Sequence, residues 1–222
     1  MACDLKSPGC DMGLFSTKKE QGSLAESELR VLELESECRG LKARLEGAEQ
    51  LVLHLDEDRD LLLGALERLQ PGAEPVALAE ALLELCFRPF SLACFYVALA
   101  DWEQDQLRFV LYHEGGRVRN HPSRRLSERA GLSEAVLLNG QPIYIRTLEE
   151  GLAAGSLLTA AERATGLIPH SWYGVPLGRG QQSFGLVSFQ SFQTDAFSES
   201  RRRVMDALAA LLATCLGVQS AR

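Results

Sequence analysis

Residues 24–69 read LAESELRVLELESECRGLKARLEGAEQLVLHLDEDRDLLLGALERL. Apolar side chains recur in this segment about every 3.5 residues, at the a and d positions of a heptad that begins at Leu24. Ser27 at d and Arg59 at a are the two exceptions. A heptad of this length without proline predicts a left-handed, two-stranded parallel coiled coil. The predicted dimer seam comprises Val31, Leu34, Cys38, Leu41, Leu45, Val52, Leu55 and Leu62.

Charged residues flank the predicted seam in a pattern that favours parallel strands. In a parallel dimer each g position faces the e position five residues further along the partner, and three successive pairs of this kind have opposite charges. The alternative is a single amphipathic helix that lies on its own domain. Such a helix typically has a wider apolar stripe than a coiled-coil seam. The stripe widens from Leu51 onwards, so we expect contact with the following domain there. The three pairs are Arg30 with Glu35, Glu37 with Lys42, and Arg44 with Glu49.

The chain divides into three predicted parts: a disordered tail at 1–22, the coiled coil at 23–70 and one domain at 71–222. The net charge of −7 lies mostly in the coiled coil, which argues against binding to nucleic acid or to an anionic membrane. No apolar run approaches the ~20 residues of a membrane span. The six cysteines form no CxxC motif and no signal peptide precedes them, so we expect reduced thiols and a cytoplasmic location.

The part that follows the heptads alternates between helix and strand patterns. Pro71 and Pro75 separate the coiled coil from the next helix. The order of elements predicts an α+β domain with an antiparallel sheet. Helices are predicted at 76–87, 132–138, within 149–166 and from Ser198 onwards, and strands at 92–99, 107–113, 143–145, 171–177 and 184–191.

Three local patterns within this order resemble those of GAF domains, over roughly residues 75–217. They are GLSEAV at 131–136 leading through NGQP to IYI at 143–145, YGVPL at 173–177, and FGLVSFQS at 184–191 followed by AFSE at 196–199. The resemblance implies a six-stranded antiparallel sheet with the terminal helices on one face and a small-molecule pocket on the other. It also implies helices that pair across a dimer. The motifs of the cyclic-nucleotide-binding and bilin-binding branches are absent, so the ligand and any cofactor stay unknown.

The candidate ligand-binding residues are aromatic, polar and basic. Ser188 and Gln190 alternate with apolar neighbours, which puts both on one sheet face. The basic stretch 117–125 lies where pocket-covering loops are expected, and its arginines suit an anionic ligand. The alternative for this stretch is a solvated loop. The full set is Tyr96, Tyr112, Arg119, Arg124 (or Arg125), Trp172, Tyr173, Ser188 and Gln190.

No motif for a hydrolase, kinase, phosphatase or metal site occurs in the sequence, so we predict neither catalytic residues nor metal ligands. One branch of the GAF family reduces free methionine sulfoxide with a nucleophilic cysteine and a resolving partner. Cys86 and Cys94 are the candidates for such a pair. Both lie in apolar runs without an adjacent base, which favours buried structural thiols.

The combined pattern predicts a homodimeric sensor or adaptor. Occupancy of its pocket would change the pairing of the helices that enter and leave the domain, and an unidentified downstream protein would receive the signal. The last helix is expected to extend the seam. Two alternatives stay open: an enzyme of the methionine-sulfoxide-reductase type, and a scaffold whose pocket is vestigial. The seam positions expected in the last helix are Val204, Leu208, Leu211, Cys215 and Val218.

Overall fold

A computed structural model describes residues 14–128, 131–156, 158, 160–178 and 183–220 of the chain. It divides into two compact units, Met1–Leu55 and Asp56–Arg222. The first helix, α1, spans Leu14–Arg68. It begins earlier than predicted, within the segment that the sequence assigned to a disordered tail. Residues 18–21, KKEQ, are good helix formers, which explains the earlier start. Residues 1–13 of that tail lie outside the described part.

The first unit contains the heptads up to Leu55, and the apolar side chains described there, from Leu29 onwards, are exposed. At the predicted seam the exposed fraction runs from 44% at Leu34 to 60% at Leu41 and Leu45. Arg30 forms an ion pair with Glu33 of the same helix, at 2.9 Å between Nη1 and Oε2. A helix that exposes such a stripe to water lacks the burial that normally stabilises a helix in a protein.

The second unit begins with the last turns of α1, and these turns are packed against the domain. Leu61, Ala65 and Leu69 are buried in its core, whereas Leu63 and Leu66 stay about half exposed. The contact with the domain that the sequence predicted from Leu51 therefore begins at Leu61. It uses heptad positions c, g and d, so positions a and e remain on the surface.

The described residues of this unit form one antiparallel sheet. Its strands are β1 Cys94–Asp101, β2 Gln106–Glu114, β3 Arg117–Val118, β4 Arg124–Arg125, β5 Ile143–Ile145, β6 Ser171–Leu177 and β7 Gly185–Ser191. Their order in the sheet is β3-β2-β1-β7-β6-β5, with β4 paired to β2 at one edge. The predicted strands are all present, and the two short strands β3 and β4 lie in the basic stretch, where the sequence predicted a loop.

Helices cover both faces of the sheet. On one face, α2 (Pro75–Cys86), α6 (Glu199–Ser220) and the end of α1 share a large apolar core with β1, β6 and β7. On the other face, α3 (Leu132–Asn139) packs over β6 and β7. The two short helices α4 (Leu148–Ala153) and α5 (Ala160–Thr165) follow β5. This is the α+β architecture that the sequence predicted.

The expectation that α6 extends the dimer seam is wrong. Val204, Leu208 and Cys215 are buried in the core of their own domain, and Leu211 is half buried against the same core. The repeat of this helix therefore reflects the single apolar stripe of a helix lying on a sheet. The side chain of Val218 lies outside the described residues. None of the described helices is both long and apolar enough to cross a membrane.

Candidate functional site

The alternation of side chains along the central strands creates a cavity on the face of the sheet opposite α2 and α6. Phe95 and Val97 of β1 point into the helical core, whereas Tyr96 points to the other face. There it lines a cavity of about 130 Å³. The described residues that line this cavity are Tyr96, Phe109, Tyr112, His121, Arg124, Gly131, Leu132, Ser133, Glu134, Ser156, Glu162, Trp172 and Gln190.

Aromatic rings form most of one wall of the cavity. Tyr96 and Tyr112 are stacked, with ring centroids 5.7 Å apart and planes 10° apart. Phe109 meets both rings edge-on, at 5.5 and 5.7 Å. The His121 ring lies 4.2 Å from Phe109 and 4.6 Å from Tyr112. These four side chains hold one another in fixed orientations.

The hydroxyl of Tyr96 is the centre of a buried polar network. It lies 2.9 Å from Ser133 Oγ, and Ser188 is the cross-strand partner of Tyr96 on β7. Gln190 donates from Nε2 to Ser188 Oγ at 3.1 Å. Burial raises the pKa of Tyr96, so the phenol stays protonated and can donate. The network therefore fixes the polar groups that the cavity presents.

Trp172 takes its place in the cavity wall because the next residue on the same face is a glycine. An added Cβ at Gly174 would lie 2.0 Å from the Trp172 indole. Gly174 is paired with Ser188 on β7, in the middle of the sheet. The missing side chain thus leaves the space that the indole fills, and this close approach explains a glycine inside a strand.

Two carboxylates lie at the cavity, and both are at least nine-tenths buried. Glu134 forms an ion pair with Arg124 and accepts a hydrogen bond from the backbone N–H of Gly131, at 3.2 Å. The second bond is half of a capping box at the start of α3. Glu162, from α5, lies at the junction between this cavity and a smaller recess.

Three arginines of the basic stretch lie beside carboxylates of the same domain. Arg124 is paired with Glu134, while Arg119 lies 3.4 Å from a Glu114 carboxylate oxygen. Arg125 lies 3.8 Å from Glu128. Of the two arginines that we expected at the site, Arg124 lines the cavity, whereas Arg119 lines a separate recess. The placement of Arg119 follows from its position after β3, at the far edge of the sheet.

Tyr173 also differs from the expectation. It is buried in the helical core, and its hydroxyl donates to Asp206 Oδ1 on α6 at 2.6 Å. Consecutive residues of a strand point to opposite faces, so Trp172 and Tyr173 cannot share a pocket. Tyr96, Tyr112, Trp172 and Gln190 line the cavity, and Ser188 accepts a hydrogen bond from Gln190 beneath it.

The two cysteines considered for redox chemistry lie in different cores. Cys86 belongs to the helical core and Cys94 to the cluster on the cavity face. Burial raises the pKa of both thiols, that of Cys94 to about 12. A nucleophilic cysteine needs its thiolate form, which burial disfavours here. Among the described residues, no group of three or more His, Cys, Asp or Glu side chains could hold a metal ion.

Among the lining residues that sequence reasoning missed are Phe109, His121, Ser133, Glu134 and Glu162. Phe109 is three residues from Tyr112, so simple alternation puts it on the opposite face. A register shift opposite Val97 and Ala98 brings both rings to the same face. The acid three residues after Gly131 is a capping signal that was available in the sequence. The remaining three lie on loops or helices whose approach to the sheet depends on tertiary packing.

Comparison with known proteins agrees with this architecture. The family model of the GAF domain matches residues 72–216, and the chain therefore belongs to the GAF domain family. GAF domains are a ligand-binding and sensory fold of signalling proteins, and they commonly bind small molecules or partners and form oligomers. No curated protein is significantly similar in sequence.

Several solved structures share the fold. The GAF domain of an Acinetobacter phosphoenolpyruvate-protein phosphotransferase is 17% identical, covering 76% of this chain and 95% of that one, with a TM-score of 0.59. The free methionine-R-sulfoxide reductase of Neisseria meningitidis, solved with its substrate, is 15% identical, covering 74% and 92%, with a TM-score of 0.60. The GAF domain of the Coxiella burnetii phosphotransferase is 13% identical, covering 74% and 95%, with a TM-score of 0.61. At these identities the likeness concerns the fold alone.

Proposed function

We propose that this protein is a cytoplasmic, non-enzymatic sensor or adaptor that works as a parallel homodimer. Its GAF domain binds a small molecule in the cavity beside Tyr96, and α1 pairs with α1 of a second copy. A downstream protein then receives the signal. The observation that carries the proposal is the stripe of exposed apolar residues at the a and d positions of α1.

The last turns of α1 support pairing with a second copy rather than folding onto the chain's own domain. There the helix uses Leu61, Ala65 and Leu69 to contact the domain, and it leaves Leu66 at position a exposed. Up to Leu55 the described a and d positions are exposed, so a second copy can cover them without displacing a contact within the domain. Leu62 and Leu69, which also occupy position d, pack against the core of the domain instead.

Charge complementarity favours a parallel arrangement of the two copies. Arg30, at g, and Glu35, at e, attract one another across a parallel seam, as do the two pairs that follow. In the single chain Arg30 is bound to Glu33 instead, and both side chains are more than half exposed. Exposed ion pairs contribute only about 0.2–1 kcal/mol, so a change of partner on dimerisation costs little.

A reductase role receives little support from the cysteines. Cys86 and Cys94 lie in cores on opposite faces of the sheet, and burial raises the pKa of both thiols. The chain is therefore expected to lack methionine sulfoxide reductase activity with dithiothreitol as reductant. If the wild type reduces methionine sulfoxide and both Cys86→Ser and Cys94→Ser abolish this activity, the protein is an enzyme and the proposed sensor function is wrong.

Cys38 provides a direct test of the parallel register. It is exposed and occupies position a, where two parallel helices bring like residues together. We expect mild oxidation by copper phenanthroline to give a disulfide-linked dimer on non-reducing gels. A background with Cys3 and Cys10 changed to serine leaves Cys38 as the exposed thiol among the described cysteines, since Cys86, Cys94 and Cys215 are buried.

The control is Cys38→Ser in the same background, which is expected to give no cross-linked dimer. A second control moves the thiol to the outer surface of the helix, as Cys38→Ser combined with Ser36→Cys at position f. This variant is expected to cross-link at least tenfold more slowly, since f positions of parallel helices point away from each other. Equal rates for the two positions would contradict the parallel seam.

A further inference from the structure

We propose that Ser127 is a phosphorylation site, and that a phosphoryl group there detaches the short strand β4 from β2 beside the cavity. The modification itself concerns a residue that the proposed function does not use. Its effect on ligand binding rests on the proposed function, because β4 carries a residue of the cavity wall. Three features of the described residues support the proposal: the sequence before Ser127, the bonds that Ser127 forms, and the position of β4.

The first feature is the sequence that precedes the acceptor. Residues 124–127 read RRLS, so two arginines stand three and two positions before Ser127. Protein kinases select their substrates by charge pattern, and this spacing suits a serine kinase whose substrate groove is acidic. Ser127 and Arg125 are both exposed. The acceptor and one of its two arginines are therefore accessible in the folded domain.

The second feature is a group of hydrogen bonds to Asp105, which directly precedes β2. The hydroxyl of Ser127 donates to Asp105 Oδ2, and the backbone N–H of Ser127 donates to Oδ1 at 3.0 Å. The backbone N–H of Leu126 donates to the carbonyl of Asp105 at 3.2 Å. These three bonds, which we call the Asp105 clamp, hold the end of β4 beside the start of β2.

A phosphoryl group on Ser127 is incompatible with the Asp105 clamp. It replaces the proton that the hydroxyl donates to Asp105, and it adds about 1.5–2 negative charges at pH 7. The new charge would lie next to the Asp105 carboxylate and one residue from Glu128, where like charges repel. The guanidinium of Arg125, now 3.8 Å from Glu128, can pair with the phosphate instead. Phosphorylation thus replaces an attraction with a repulsion.

The third feature is the position of β4 in the cavity wall. Its Arg124 lines the cavity and forms an ion pair with the buried carboxylate of Glu134. Leu126 follows β4 directly and is buried in the apolar cluster on the cavity face. A strand of two residues forms few ladder bonds of its own, so its attachment depends on the Asp105 clamp beside it. Loss of the clamp therefore loosens Arg124 from the wall.

The transfer requires a separate serine kinase and MgATP. A bond forms between Ser127 Oγ and the γ-phosphorus of ATP, the bond from that phosphorus to the β–γ bridging oxygen breaks, and ADP leaves. The hydroxyl proton passes to the catalytic aspartate of the kinase. Because the side chain of Arg124 is only 18% exposed, the kinase binds both arginines when β4 is detached. The phosphoryl group then opposes reattachment, so phosphorylation stabilises the detached state.

The first experiment tests the acceptor on the full-length protein. The probe is the catalytic subunit of cAMP-dependent protein kinase with MgATP, and peptide mass spectrometry locates the phosphate. We expect phosphate at Ser127, and Ser127→Ala should lose that phosphopeptide. Arg125→Gln should slow the modification of Ser127 by about tenfold or more. The matched control Arg117→Gln, which changes an exposed arginine far from the acceptor in sequence, should leave the rate within about twofold.

The second experiment measures the Asp105 clamp by hydrogen exchange and mass spectrometry. We expect the peptide that contains residues 124–127 to exchange about tenfold or more faster after phosphorylation, while β7 keeps its protection. In Asp105→Asn the side-chain amide can donate to the phosphate, so phosphorylation should change the exchange rate by less than about threefold. The control Ser123→Asp adds a negative charge at an exposed residue outside the clamp and should leave exchange within about twofold.

Each outcome supports or overturns a stated part of the inference. Absence of phosphate from Ser127, or an equal rate for Arg125→Gln and the wild type, overturns the modification site. Phosphate at Ser127 without faster exchange at 124–127 overturns the release of β4. Both results leave the proposed function intact, since they concern neither the pairing of α1 nor the occupancy of the cavity. Conversely, failure of Cys38 to cross-link contradicts the proposed dimer without affecting phosphorylation of Ser127.

Discussion

Leu41 and Leu32 offer a matched pair of substitutions for testing the dimer seam. Both lie on α1 and are exposed to nearly the same extent, 60% and 61%. Leu41 occupies heptad position d, whereas Leu32 occupies position b. In the single chain the two side chains are therefore equally exposed, and they differ in burial only when a second copy covers position d. Alanine at either position preserves helix propensity, so the helix itself is not weakened.

The size of the expected effect follows from the exposed area. Complete burial of a leucine side chain is worth about 1.5–3 kcal/mol, so covering the exposed 60% of Leu41 is worth about 1–2 kcal/mol per chain. A dimer contains two copies, and Leu41→Ala should therefore weaken association by about 2–4 kcal/mol. At about 1.4 kcal/mol per tenfold change, the dissociation constant rises between about 30-fold and about 700-fold.

Sedimentation equilibrium over a range of protein concentrations measures this change directly. We expect Leu32→Ala to keep the dissociation constant within about twofold of the wild type, because a single exposed surface position has little effect. Equal weakening by Leu32→Ala and Leu41→Ala would show that the pairing surface has been assigned to the wrong face of α1. An unchanged dissociation constant in both variants would show that α1 does not form the dimer.

Three further predictions concern the domain. Gly174→Ala places a Cβ against the Trp172 indole, so we expect a shift of the tryptophan fluorescence spectrum and loss of ligand binding, and an unshifted spectrum would contradict the packing described. Tyr173→Phe removes the hydrogen bond to Asp206 and should lower the free energy of unfolding in urea by about 1.5–3 kcal/mol, while leaving ligand affinity unchanged. Burial lowers the pKa of His113 in the folded protein below its value of about 6.5 in the unfolded chain. As the pH falls below about 6.5 the imidazole is therefore protonated first in the unfolded chain, and the folded protein loses stability. His113→Phe should therefore lose less stability than the wild type between pH 7.5 and 5.5, and parallel curves would refute the assignment.

The strands and helices of the domain were largely predictable because each has a clear apolar period or a turn signal at its ends. The run from Ser171 to Leu177 and the run from Gly185 to Ser191 are examples. The short strands β3 and β4 were not predictable in this way. Within the described part of the chain each pairs with β2 alone, and two residues carry no period of their own. Their existence depends on the neighbouring strand rather than on their own residues.

The site was harder to predict than the fold. Alternation correctly puts Ser188 and Gln190 on one face, but it cannot tell which face carries the cavity. Tyr173 was assigned to the pocket by its aromatic character, although its neighbour Trp172 already occupies that face. The position of Phe109 depends on the register shift against β1, and sequence alternation alone gives no signal for it. Local periodicity thus determines the strands, whereas the assembly of the cavity depends on tertiary contacts.

Trp172 and Tyr173 are neighbours on β6 whose side chains lie on opposite faces of the sheet. The indole borders the ligand cavity, and the phenol of the next residue is bound to Asp206 on α6. A single peptide unit joins them, so β6 contacts the cavity through one residue and α6 through the next. Cys215 of that helix in turn donates to the carbonyl of Leu69, directly after α1. A continuous chain of side-chain contacts thus connects the wall of the cavity, through β6 and α6, to the residue that follows α1.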